Sequence, residues 1–196
     1  MKPVSNEAIQ QLFTEARSYS SWLAKPVSNK TLTSIYDMMK WGPTSANLCP
    51  VRIVFVKSEV AKQQLISTLS PGNVEKVRSA PVTAIIAQDI QFYDKIDILF
   101  PHMVAFKEMF LADEKLAQST AFRNSSLQGA YLILAARALG LDCGPMSGFD
   151  NAKLDALFFE GTSWRSNFIC NLGYGDRSNT HTRLPRLSFE QACIIK

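Results

Sequence analysis

The sequence predicts one mixed domain of the α/β or α+β class. Three observations carry that reading. The chain has 196 residues, 46% hydrophobic and 19% charged, which is the length and composition of a single compact unit. Three short runs rich in β-branched or apolar residues, 51–56, 81–87 and 167–172, read as strands. Stretches with helical spacing lie between them, with no internal repeat or flexible linker.

Taken in order, Ala8, Ile9, Leu12, Phe13 and Ala16 repeat at helical spacing, so residues 6–16 read as a helix. Ser28 is an N-cap for a second helix with Leu32, Ile35, Tyr36 and Met39 as its apolar stripe, stopped by Gly42-Pro43. A loop follows over 43–50, then the first strand. Residues 61–69 read as helix and 70–73 as a turn. The second strand, 81–87, is apolar enough to be buried on both faces. Residues 91–113 are aromatic and irregular. The strongest helix spans 116–139, with Leu127, Ala130, Tyr131, Leu134, Ala135 and Ala138 as its expected core face and Gly140 as its stop. Residues 141–149 read as a Gly/Pro-punctuated loop, Asp150 caps a short helix, and the third strand leads into a polar tail.

Much chemistry is excluded by composition. The balance of 21 basic against 17 acidic residues gives a net charge of +4 with no basic block, so no nucleic-acid partner is expected. The longest apolar run, 131–136, ends at Arg137, so no membrane span is expected, and the polar N-terminal residues point to a cytoplasmic protein. Four unpaired cysteines and two scattered histidines give no metal site. There is no P-loop, no G-x-S-x-G elbow and no H-E-x-x-H. What remains is a set of donor-rich loops carrying Arg, Asn, Ser and Gly. That equipment suits an anionic, planar, nucleotide-like cofactor that does the chemistry itself.

Four segments, in this order, resemble the FMN-dependent nitroreductase family. They are Arg17-Ser18, the loop Trp41-Gly42-Pro43-Thr44-Ser45-Ala46-Asn47-Leu48-Cys49-Pro50, the stretch from Ala138 through Gly144-Pro145-Met146-Ser147-Gly148-Phe149, and Leu172-Gly173-Tyr174-Gly175. Within the family, 40–47, 120–128, 144–150 and 183–190 look most like its malonic semialdehyde reductase branch, which serves pyrimidine breakdown. The resemblance implies an α+β sandwich, with a mostly antiparallel central sheet flanked by helices. It implies one domain over 1–196, a homodimer with FMN at the subunit interface, and a C-terminal segment that packs on the partner.

Site residues follow from the same likeness. Arg17 and Ser18 would meet the FMN phosphate and ribityl chain, with Arg186 or Arg183 as the C-terminal basic partner. Ser20 and Leu184 stand where the family usually carries further basic residues. Pro43, Thr44, Ser45 and Asn47 match the loop that reaches the flavin from the other subunit, which puts Cys49 near the ring. Asn73 and Asn124 match polar flavin contacts, and Pro145, Met146, Ser147 and Gly148 match the backbone that approaches the ring. No catalytic side chain is expected, because the flavin N5 carries the hydride. NAD(P)H and then the oxidised substrate share one pocket, giving ping-pong kinetics. The branch implies reduction of malonic semialdehyde to 3-hydroxypropionate, with Arg123 as the carboxylate anchor. The alternatives are a general nitro, quinone or enone reductase, and a flavin-free binding protein of the same fold.

Overall fold

The computed structural model describes residues 2–196. Its centre is a four-stranded sheet in the order β1-β2-β4-β3, antiparallel throughout. The strands are β1 (Val51–Val56), β2 (Val82–Asp89), β3 (Asp142–Met146) and β4 (Trp164–Gly173). Val51 sits opposite Gln88 and Val56 opposite Thr83, which fixes the register of the first pair.

Alternation along β2 and β4 sends side chains to two cores. Ala84, Ile86, Cys170 and Leu172 meet α2 (Asn29–Met39) and α7 (Glu114–Ala138) on one face. Ile85, Ala87 and Ile169 meet α3 (Glu59–Ile66), α4 (Val74–Ser79) and α8 (Asn151–Phe158) on the other. Burial on both faces explains why the β2 run is apolar without interruption. The result is a helix–sheet–helix sandwich of the α+β class, as the family resemblance implied.

The caps read from sequence hold. Ser28 accepts from the Thr31 N–H and Asp150 from the Lys153 N–H, each satisfying an orphan donor of the first turn. Gly140 takes φ +77° after α7, a backbone state open to glycine.

Several expectations are corrected. The helix expected over 6–16 is only α1 (Asn6–Ile9), continued by a π-helical turn at Gln10–Thr14. Tyr36, placed in the core stripe of α2, is exposed. The irregular stretch 91–113 holds α5 (Ile96–Leu99) and α6 (Phe106–Ala112), packed by Phe92, Ile96 and Phe110. The loop expected over 141–149 contains β3, because an edge strand tolerates Pro145.

The largest correction concerns α7. Its buried face is Ala117, Ala121, Asn124, Gln128, Leu132 and Ala135, with Thr120 and Ser125 beside them. Leu127, Ala130 and Ala138, expected in the core, are exposed. Asn124, Gln128 and Ser125 can face inward because each finds a partner: Asn124 Oδ1 accepts from the Ser45 N–H at 2.8 Å, Gln128 Oε1 accepts from the Val51 N–H at 3.0 Å, and Ser125 Oγ donates to Gln88 Oε1 at 3.3 Å. The tail after β4 carries α9 (Phe189–Ala192) and leaves Ile194 and Ile195 more than 80% exposed. Among the described residues, no helix is long and apolar enough to cross a membrane.

Candidate functional site

The N-terminal segment runs along the open edge of the sheet. Ser18 forms a parallel bridge with Cys143 of β3, and the Tyr19 N–H donates to the Cys143 carbonyl at 3.1 Å. This pairing fixes Arg17 beside the end of α7. The tail residues His181 to Arg186 cross over the same place. Together they enclose a cavity of about 950 Å³ lined by Arg17, Ser18, Arg137, Thr182, Arg183 and Arg186, with Phe13 and Ala16 as apolar wall.

No carboxylate lines this cavity. The guanidinium groups are held by backbone carbonyls instead. Arg17 donates to the His181 carbonyl, and Arg183 donates to the carbonyls of Thr14 at 2.7 Å and Ala16 at 3.0 Å. Arg186 donates to the carbonyls of Leu184 and Pro185. Carbonyl partners orient these groups without neutralising them. The cavity is therefore positively charged, and planar guanidinium forks have the geometry to suit phosphate oxygens. Of the sequence-derived residues, Arg17, Ser18, Arg183 and Arg186 are brought together here.

A second group lies further along. Asn73 donates to the Gly148 carbonyl at 3.0 Å, and the Ser70 N–H donates to the same oxygen. A Cβ on Gly148 would come within 2.7 Å of the Asn73 amide nitrogen, so any larger residue there must push the Asn73 side chain off the Gly148 carbonyl. Met146 and Pro145 belong to β3 itself, so the Pro145–Gly148 backbone continues the sheet edge that starts at Ser18.

The third group stands at the opposite edge, on the loop leading into β1. Ala46, Asn47 and Cys49 all have positive φ, at 46°, 52° and 43°. Left-handed backbone at residues with a Cβ costs of order 1–3 kcal/mol each, so something must hold it. Thr44 Oγ1 accepts from the Cys49 N–H at 3.2 Å, and Asn47 Nδ2 donates to the Leu99 carbonyl at 2.8 Å. Asn124, fully buried on α7, accepts from the Ser45 N–H at 2.8 Å and donates to the Thr120 carbonyl at 2.9 Å. Both ends of its amide are thus engaged inside the protein. Asn124 clamps this loop, with one of its two N–H donors and one lone pair of its carbonyl in use. Arg123, its neighbour, is exposed and has no ion pair or hydrogen bond among the described residues.

Within one chain these groups do not converge. The strand order puts the loop before β1 and the edge along β3 three strands apart, about 14 Å at the usual strand spacing. Arg137 is the cavity arginine that sequence reasoning missed, since its only visible role was to end an apolar run; Thr182 was missed too.

The family model for nitroreductases, described as the nitroreductase family, matches residues 2–174. The chain belongs to the nitroreductase family. It is 56% identical over 193 residues to a protein of Cupriavidus pinatubonensis that carries the provisional name NADH dehydrogenase/NAD(P)H nitroreductase, covering 97% of this chain and 98% of that one. It is 57% identical over 190 residues to HadB of Ralstonia pickettii, provisionally named in the same way, covering 96% and 97%. Its fold matches a nitroreductase-type structure from Exiguobacterium sibiricum solved in complex with FMN, with a TM-score of 0.86 and 17% identity across the full length of both chains.

Proposed function

We propose that this chain is an FMN-dependent NAD(P)H oxidoreductase that works as a homodimer. The observation that carries the reading is the cavity beside β3, with four arginines, Ser18 and Thr182 but no carboxylate, in a member of the nitroreductase family. Its donor set fits a phosphate, and the sheet edge running from Ser18 to Gly148 offers backbone along which the rest of a flavin could lie. Arg17, Ser18, Arg183 and Arg186 would hold the phosphate end, and Asn73 with Pro145, Met146, Ser147 and Gly148 would line the ring end. When bound, FMN supplies hydride acceptance from NAD(P)H and hydride donation to an oxidised substrate. The protein's part is to bind, orient and shield it.

Dimerisation supplies what one chain lacks. Pro43, Thr44, Ser45 and Asn47 are held rigidly at the far edge, so a second copy must bring them to the flavin. The outward face of α7, with Phe122 and Leu127, and the neighbouring Trp41 at 81% exposure need cover. The apolar tail residues Leu184, Leu187, Ile194 and Ile195 suit an arm that packs on the partner.

For the substrate we favour malonic semialdehyde, reduced to 3-hydroxypropionate. Arg123, exposed and without a partner among the described residues, is a ready anchor for its carboxylate. The second reading is a general nitro, quinone or enone reductase, favoured by the names of the relatives. The test is the absorbance spectrum of the purified protein with FMN, then its anaerobic bleaching by NAD(P)H. A flavin spectrum that bleaches supports the oxidoreductase. Protein that stays colourless with added FMN supports a flavin-free binding protein. A kcat/KM for malonic semialdehyde above that for nitrofurazone supports the aldehyde, and the reverse supports the general reductase.

A further inference from the structure

Arg137 stands apart from the other three cavity arginines. It sits in the last turn of α7, where a cation also complements the helix dipole. Dipole complementarity explains a positive charge at that place. It does not explain the rest of the geometry. One terminal nitrogen, Nη1, donates to the Leu12 carbonyl at 2.8 Å and ties the guanidinium to the π-helical turn. The residue's own carbonyl accepts from Gln11 Nε2 at 2.6 Å, a second tie to the same turn. Yet Nε is buried and has no hydrogen-bond partner.

A buried, unpartnered donor on a charged group is costly, by more than a neutral one. Arg137 makes no ion pair among the described residues. Two carboxyl residues, Glu15 and Asp142, line the smaller cavity on its other side, but Asp142 Oδ2 already accepts from the Gly175 N–H at 2.9 Å. The side chain is therefore clamped and charged; Nε is closed off from the cavity, whereas the other terminal nitrogen, Nη2, is neither buried nor hydrogen-bonded, and the residue forms a wall of the carboxylate-free cavity.

We propose that Arg137 is a fourth arginine of the anion site, and that it contacts the phosphate of the bound ligand from the helix side. The proposal rests on the reading above that the phosphate end of FMN enters this cavity. It adds a residue from α7 to a site otherwise built from the N-terminal loop and the C-terminal tail. The rigid helix then supplies a fixed charge, and the two flexible segments close around it.

The experiment compares FMN with riboflavin, which differ by the phosphate alone. Flavin-fluorescence titrations of the flavin-stripped dimer are run on the parent protein, Arg137→Gln and Arg137→Lys. The parent should bind FMN more tightly than riboflavin. Arg137→Gln should weaken FMN by about 10- to 100-fold, the size of a lost charge-assisted hydrogen bond, and leave riboflavin unchanged. Arg137→Lys should recover part of the loss. The rise in melting temperature caused by inorganic phosphate should shrink in Arg137→Gln. Equal weakening of both flavins, or no change in either, overturns the proposal and leaves Arg137 a helix-end brace. A parent protein that binds both flavins equally would instead overturn the placement of the phosphate in this cavity. A parent protein that binds neither would overturn the flavin reading itself.

Discussion

In the loop before β1, Thr44 Oγ1, the Ser45 N–H, the Asn47 amide and Cys49 Sγ all bond within the chain. At the opposite sheet edge, the cavity carries four guanidinium groups and no carboxylate. One region is closed on itself and strained; the other is open and electrostatically unfinished. The difference separates two ways of preparing for a ligand. The loop fixes a backbone shape in advance, so on the proposed reading a flavin met there would cost little ordering entropy. The cavity fixes charge in advance, so on the proposed reading a phosphate there would relieve an existing imbalance.

The contrast makes graded predictions. Removing charge should have the largest effect. Replacing Arg17 and Arg183 together by glutamine should weaken FMN by about 100-fold or more, since each charge-assisted bond is worth about 1.5–3 kcal/mol. Because both side chains also hold backbone carbonyls, circular dichroism of the variant is the companion measurement. An unchanged affinity would break the comparison on the cavity side.

Asn124→Ala should come next. It leaves the Ser45 N–H without its buried acceptor, and the fold should lose about 1–3 kcal/mol, read from the urea midpoint. Cys49, in the same loop, should then label faster with a thiol reagent than in the parent. Unchanged stability would show that the strained backbone needs no clamp.

The smallest effect belongs to Ala46→Gly. At φ +46° glycine relieves the left-handed strain but enlarges the unfolded ensemble, so a net gain of about 0.5 kcal/mol is expected in the same denaturation assay. A loss would mean that the loop is not strained at Ala46, or that the methyl group's packing against the Phe92 cluster dominates.

How much of this could be read beforehand depends on where the partners lie. β1, β2 and β4 were legible because apolar, β-branched runs announce themselves locally. β3 was not, because Gly144 and Pro145 dilute its propensity and only pairing with β4 makes it a strand. The face of α7 was partly misread for a related reason, with Ala135 placed correctly and Leu127, Ala130 and Ala138 not. Periodicity sees Leu127 and Ala130, but Asn124 and Gln128 turn inward on partners 79 and 77 residues away in sequence. Arg17, Ser18, Arg183 and Arg186 were reached through the family likeness, and the structure gathers them in one cavity. Arg137 carried no signal, since a lone arginine at a helix end usually has a merely local role.

Arg183 and Arg186 follow every strand in the sequence. A chain cut before Arg183 would keep the residues of all four strands and of α7 and lose two of the four guanidinium groups of the cavity. The positive charge of the cavity would be halved and not abolished, because Arg17 and Arg137 belong to the N-terminal segment and to α7.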